Sequence, residues 1–208
     1  MNAIDKADIV ARYRERLRRH GDDIRTLASG TRQRQQLRFS ILSAVGDLEG
    51  ASVLDLGCGF GDFYTYLLER DLTVEYTGYD LCPDFIQLAR AKFPQATFEV
   101  RDIQVDGIPR RFDYIISSQT FNNRLSREDN REVMRNIISR CHAASRKAVA
   151  IDMLTSYVDF REDHLYYYSP EEMFAFCKTL TKRVVLRHDY PLFEFTLYLY
   201  QDFAGWRS

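Results

Sequence analysis

Three glycines at alternate positions, Gly57, Gly59 and Gly61, sit in the run Val53-Leu54-Asp55-Leu56-Gly57-Cys58-Gly59-Phe60-Gly61-Asp62, and no other stretch restricts the fold of this chain so strongly. A short run of β-branched and leucine residues closes on an acid, the glycines follow, and a helical pattern begins at Phe63. That order specifies a strand, a tight turn and a helix N-terminus. Glycine is needed where the backbone turns sharply and a ligand must approach without a Cβ in the way. The free N–H groups at the start of the helix then face that ligand and favour a carboxylate or phosphate.

The spacing narrows the ligand. A dinucleotide fingerprint wants its third glycine at position 62, which is Asp62 here, so Asp-x-Gly-x-Gly-x-Gly describes the turn better. On Asp55, Gly57, Gly59 and Gly61, reinforced by Asp80 and Asp102 farther along, the chain resembles the class I S-adenosylmethionine-dependent methyltransferases. The resemblance implies an α/β fold with a doubly wound, mostly parallel seven-strand sheet, and S-adenosyl-L-methionine as cofactor. It places cofactor contacts at Asp55, Gly57, Cys58, Gly59 and Gly61, and at Leu81 and Ser118. Asp80 ends a predicted strand about 20 residues past the last glycine, where a βαβ unit brings an acid to ribose hydroxyls. Asp102 and Ile103 match the adenine site of that family.

Periodicity supports the same architecture. Helices are expected over residues 5–19, 31–45, 60–69 and 83–92, from a capping signal at Ser126-Arg127-Glu128-Asp129 to about residue 140, and from Ser169-Pro170-Glu171-Glu172 onward. Strands are expected at the glycine turn and over 74–80, 96–101, 112–118 and 148–154. Two last runs, 183–190 and 192–200, meet at Pro191 and suggest an antiparallel pair at the sheet edge. Residues 1–48 read as an N-terminal helical cap or lid and 49–208 as the methyltransferase domain.

Charge and cysteine usage bound the partners. With 29 Lys+Arg against 30 Asp+Glu the net charge is -1, so no global field points to nucleic acid or membrane. No apolar run is long enough to span a bilayer and the first residues lack the layout of a signal peptide, which suggests a cytoplasmic protein. Four widely spaced cysteines without a Cys-x-x-Cys pair suggest free thiols. The arginines of the first 38 residues read as a solvated helix face, or alternatively as a cap that helps to hold an anionic substrate.

Methyl transfer from a sulfonium demands alignment, exclusion of water and, for most oxygen or nitrogen acceptors, removal of a proton. His164 is the expected general base, because its ordinary pKa suits the task. Tyr13, Gln35 and Arg38 of the cap, Asn122 and Asn123 after the fourth strand, and Tyr157, Tyr166, Tyr167 and Tyr168 are expected acceptor contacts. Ser118-Gln119-Thr120-Phe121 stands where enzymes that methylate base amino groups carry an Asn/Asp-Pro-Pro-aromatic motif, no cysteine follows a proline, and Ser118 and Gln119 fill a position where metal-dependent relatives need an acid. The remaining expectation is a metal-free methyltransferase acting on oxygen, nitrogen or activated carbon of a small molecule. The alternatives are an RNA or protein methyltransferase using the basic N-terminal helices, or a non-catalytic subunit that binds the cofactor.

Overall fold

The computed structural model describes residues 1–201; positions 202–208 of the expected 49–208 domain lie outside them. Two helices, α1 (Ala3–His20) and α2 (Arg32–Ser43), precede the first strand, β1 (Ser52–Leu56). Then come α3 (Asp62–Leu68), β2 (Glu75–Asp80), α4 (Pro83–Lys92), β3 (Thr97–Val100), β4 (Phe112–Ser117), α5 (Asn130–Ala144) and β5 (Ser145–Leu154). The described chain closes with α6 (Pro170–Leu180), β6 (Val184–Arg187) and β7 (Glu194–Tyr200). The strands form one sheet in the order β3-β2-β1-β4-β5-β7-β6. β1 to β5 pair in parallel, while β7 is antiparallel to both β5 and β6. The closing pair therefore has one interior strand, β7, and one edge strand, β6.

Alternation along the central strands divides the core. Val53, Ile116 and Ala150 face Phe39, Leu42, Phe63, Leu67 and Ile86 of α2, α3 and α4. Leu54, Ile115 and Val149 face Met134, Ile137 and Met173 of α5 and α6. With helices on both faces, all five residues of β1 are buried, as a central parallel strand requires. Chain order runs outward from β1 through β2 to β3, then resumes at β4 on the other side. The crevice outside the carboxyl ends of β1 and β4 is thus the topological switch point, the usual ligand position in open α/β sheets.

Local signals explain most helix ends. Asn2, Thr31 and Ser169 cap α1, α2 and α6 with their side chains, and Gly21 stops α1 at a φ of 64°. In α5 the expected signal holds through its last residue alone. Asp129 caps it, whereas Ser126 of the expected capping signal donates its N–H and hydroxyl to Asp5 of α1 at 2.7 and 2.8 Å.

α1 buries only Asp5 fully and is held by polar ties. Asp5 also accepts the Arg127 N–H, Arg12 donates to Asn123 at 2.9 Å, Arg14 pairs with Asp84 at 2.6 Å, and Arg16 donates to the Thr26 and Arg25 carbonyls. Arg12, Arg14, Arg18 and Arg19 are exposed, in keeping with the expected solvated arginine face, and Arg12 and Arg14 in addition fasten the N-terminal segment to the rest of the molecule. Among the described residues no helix is long and apolar enough to cross a membrane, and the four cysteines are free and buried.

Candidate functional site

A cleft of about 1150 Å³, its open mouth included, occupies the switch point beneath α1. Its floor is the glycine turn. Gly57 and Gly59 have φ of 71° and 53°, and a Cβ built on them would meet Thr120 Oγ1 at 2.1 Å and Leu27 Cδ2 at 2.9 Å. Bare backbone is therefore a steric necessity at Gly57, while at Gly59 the left-handed backbone favours glycine and only a movable Leu27 methyl stands in the way. Gly61 has φ of 81° and precedes α3, but an added Cβ would press on Phe93 and Phe98 at 3.0–3.2 Å and the residue does not line the cleft. Its place as a direct contact is corrected to close packing of α3 against the layer below.

Acids surround this floor. Asp55 is the penultimate residue of the first strand, with its carboxylate hydrogen-bonded by the Tyr76 hydroxyl; burial pushes its pKa up to about 7, with the tyrosine pulling the other way. Asp80 accepts the Gly59 N–H at 3.0 Å and the Cys82 N–H at 2.8 Å, so it locks the glycine turn to the start of α4. Asp102 accepts the Gln104 N–H at 3.1 Å and pairs with Lys6 of α1 at 3.7 Å.

Of the residues singled out in the sequence, Asp55, Gly57, Cys58, Gly59, Asp80 and Leu81 line the cleft. Asp102, Ile103, Ser118, Tyr13 and Gln35 line it too. Six others do not. Arg38 is buried in a two-pronged pair with Glu194 at 2.7 and 2.9 Å. Asn122 accepts the Leu154 and Tyr166 N–H groups, and Asn123 accepts from Arg12 and, through its carbonyl, from Asn130. Tyr168 is buried and donates to the Phe121 carbonyl at 2.9 Å, while Tyr157 is exposed beside Glu171. His164 is 52% exposed, 3.5 Å from Glu162, away from the cleft. Arg38 ties α2 to β7, and the other five serve loop structure or face solvent, because the 155–168 segment folds against the β4–α5 loop through bridges such as Asn123 with Leu165.

One polar residue escaped the sequence reading. Asp62, the first residue of α3, lines the cleft almost fully buried and accepts from Gln35 Nε2 at 2.8 Å and Arg32 at 3.2 Å. Its signal was available: an acid in the first turn of a helix that begins on a ligand-facing glycine turn. Phe39 and Phe63, edge-to-face at 5.2 Å, and Ser29, Gln119, Thr120 and Phe121 complete that side.

Comparison with known proteins agrees with this arrangement. A family profile described as a methyltransferase domain matches residues 53–144. A Mycobacterium tuberculosis protein named as methyltransferase Rv1506c is 36% identical over 151 residues, covering 70% of this chain and 90% of that protein. Magnesium protoporphyrin IX methyltransferase from Synechocystis PCC 6803, solved with bound S-adenosylhomocysteine, superposes with a TM-score of 0.68 at 15% identity, over 95% of this chain and 100% of that one. The 1,6-didemethyltoxoflavin-N1-methyltransferase of Burkholderia thailandensis, solved with its named substrate and S-adenosylhomocysteine, gives 0.66 at 20% identity, over 96% of this chain and 88% of that one. At such identities the two structures speak for the fold.

Proposed function

This chain belongs to the class I S-adenosylmethionine-dependent methyltransferases, and from that membership we propose that it methylates a small molecule held between the α1–α2 segment and the end of β4. Residues 1–48 act as the cap and the rest of the chain as the catalytic domain in this reading. The cleft suits the cofactor: Gly57 and Gly59 leave bare backbone at its floor, buried acids stand near the end of β1 and after β3, and the half-buried Asp80 ends β2. Asp80 is assigned to the ribose hydroxyls, Asp102 with the Ile103 amide to the adenine edge, and the backbone from Gly57 to Gly59 with Ser118 to the amino-acid tail. S-adenosylmethionine supplies a methyl group that is already electrophilic and carries its own leaving group.

Every other task falls to the chain. Because β2 and β3 lie on one side of β1 and β4 on the other, the nucleoside grips occupy one half of the cleft and leave the β4 half for the acceptor. Ser29, Gln35, Phe39, Asp62, Phe63 and Gln119 form that half. Two aromatic rings against two amides and an acid suit an acceptor with a ring or apolar body and a hydrogen-bearing polar atom. Asp62 is the ionisable group on this wall and takes the proton-accepting role expected of His164. Orientation alone can contribute about 7–11 kcal/mol to such reactions, so few dedicated catalytic groups are needed.

The observation that carries the small-molecule reading is the roof. α1 lies over the cleft, and three of its arginines, Arg12, Arg14 and Arg16, are held by Asn123, Asp84 and the Thr26 carbonyl, while Arg18 and Arg19 stay exposed beside Glu15. Incubation with methyl-labelled cofactor and a metabolite extract is expected to label a small product. Label entering bulk RNA instead, with binding that weakens steeply with salt, would overturn the reading. On the same assay His164→Ala is expected to leave turnover near the wild-type value, against the roughly 10²- to 10⁴-fold loss that removal of a general base causes.

A further inference from the structure

Behind the acceptor wall lies a buried charge cluster that none of the steps above uses. Asp152 of β5, 1% exposed, accepts the Gln119 backbone N–H at 2.6 Å, the Gln119 side-chain amide at 3.3 Å and the Ser118 hydroxyl at 3.0 Å. Gln119 has a φ of 59°, a left-handed conformation that a residue with a Cβ rarely adopts and that its surroundings must enforce. Beside Asp152, Glu194 of β7 takes two nitrogens of Arg38, whose third reaches the Ser29 carbonyl at 2.8 Å. Ser29 and Gln119 both line the cleft, so one buried cluster holds the acceptor chamber from two sides.

We propose that Asp152 is a positioning residue for methyl transfer, whose carboxylate clamps the Ser118–Gln119 turn into the shape that receives the acceptor. The proposal rests on the reading of that chamber as a small-molecule site. An ionised carboxylate offers lone pairs to all three donors; a protonated one carries a hydrogen of its own, and the donors compete for fewer acceptor positions. The charged groups that act on Asp152 are Glu194 of β7 and Arg38 of α2, and its own field reaches Tyr190 of the β6–β7 turn and Asp55 of β1. Burial first and Glu194 second push its pKa up from the ordinary carboxylate range to about 7, with Arg38 opposing. The clamp therefore loosens as pH falls through neutrality.

The test needs no bound ligand. In ¹⁵N spectra of the wild-type protein the Gln119 amide is expected to titrate with a midpoint near 7, and in Asp152→Asn to stay constant. Glu194→Gln, which removes the neighbouring negative charge, is expected to lower the midpoint and serves if Asp152→Asn folds poorly. Thermal stability supplies the sign check. A carboxyl whose folded pKa is raised stabilises the fold at low pH, and that contribution is lost as pH rises through about 7, so Asp152→Asn should flatten this part of the slope. With an acceptor in hand, Asp152→Asn at pH 8 is expected to lower kcat by about 10- to 100-fold through misplacement, with S-adenosylhomocysteine affinity, which shares Ser118 of the same turn, falling less than kcat. A wild-type Gln119 amide that does not titrate, or a variant with normal kcat and KM, overturns the proposal. A titrating amide in a protein that labels nothing in the extracts supports the clamp and counts against the acceptor class alone.

Discussion

Replacing Gly57 by alanine is expected to weaken S-adenosylhomocysteine binding by at least about 100-fold, from strain and collision together. The left-handed backbone at 71° costs a residue with a Cβ roughly 1–2 kcal/mol, which alone approaches tenfold in affinity if the turn relaxes to avoid it. Collision adds more. The new methyl carbon would fall 2.1 Å from Oγ1, 2.5 Å from Cγ2 and 2.8 Å from Cβ of Thr120, so no rotation of that side chain clears it. Thr120 is also tied, its hydroxyl donating to the Leu56 carbonyl at 2.8 Å, and a displaced Thr120 carries Ser118 and Gln119 with it. Calorimetry on three variants separates the causes. Gly107→Ala carries a similar φ of 67° with open space around it, away from the cleft, and should bind normally with a small loss of stability. Gly57→Ala combined with Thr120→Ala should recover part of the affinity. Undiminished binding by Gly57→Ala alone would mean that the turn is not where the cofactor lies.

The glycine turn and the succession of strands and helices along the chain were legible because both are written in contiguous residues. A strand buried on both faces reads as an unbroken apolar run, and an acid at a strand's end reads from its distance to the turn. Contacts between distant segments leave no such trace. Ser126 looks like a helix cap until Asp5, 121 positions away, occupies its N–H and hydroxyl. Tyr168 sits in an aromatic segment that resembles a substrate wall, but its hydroxyl is used on the Phe121 carbonyl, 47 positions away. The part Asp152 plays is likewise hidden, because nothing in Gln119 announces a left-handed residue; glycine or asparagine would have done so.

Gln35 and Arg38 show the same limit within one helix. They lie three residues apart on the inward stripe of α2, and sequence periodicity treats them alike. Only the fold separates them, since Gln35 points to Asp62 at the cleft and Arg38 passes behind the wall to Glu194, 156 positions away.

Arg38→Met is accordingly expected to destabilise the protein by about 3–5 kcal/mol, the cost of leaving a buried carboxylate without its cation. Both partners of the pair are nearly sealed from solvent, at 6% and 5% exposure, and Glu194 has Asp152 as a second negative neighbour. Removing both charges should cost less than removing one. In Arg38→Met combined with Glu194→Met, Asp152 loses its opposing anion together with the cation, and apolar side chains of similar length fill the space. Recovery should fall short by about 0.5–1.5 kcal/mol, because the buried Ser29 carbonyl still lacks the hydrogen bond that Arg38 gave it. Urea unfolding of the two variants against wild type measures all three quantities. A double variant no more stable than the single would refute the pairing account. A single variant that keeps its stability but no longer takes up the acceptor would return Arg38 to the substrate-contact role that its sequence position suggests.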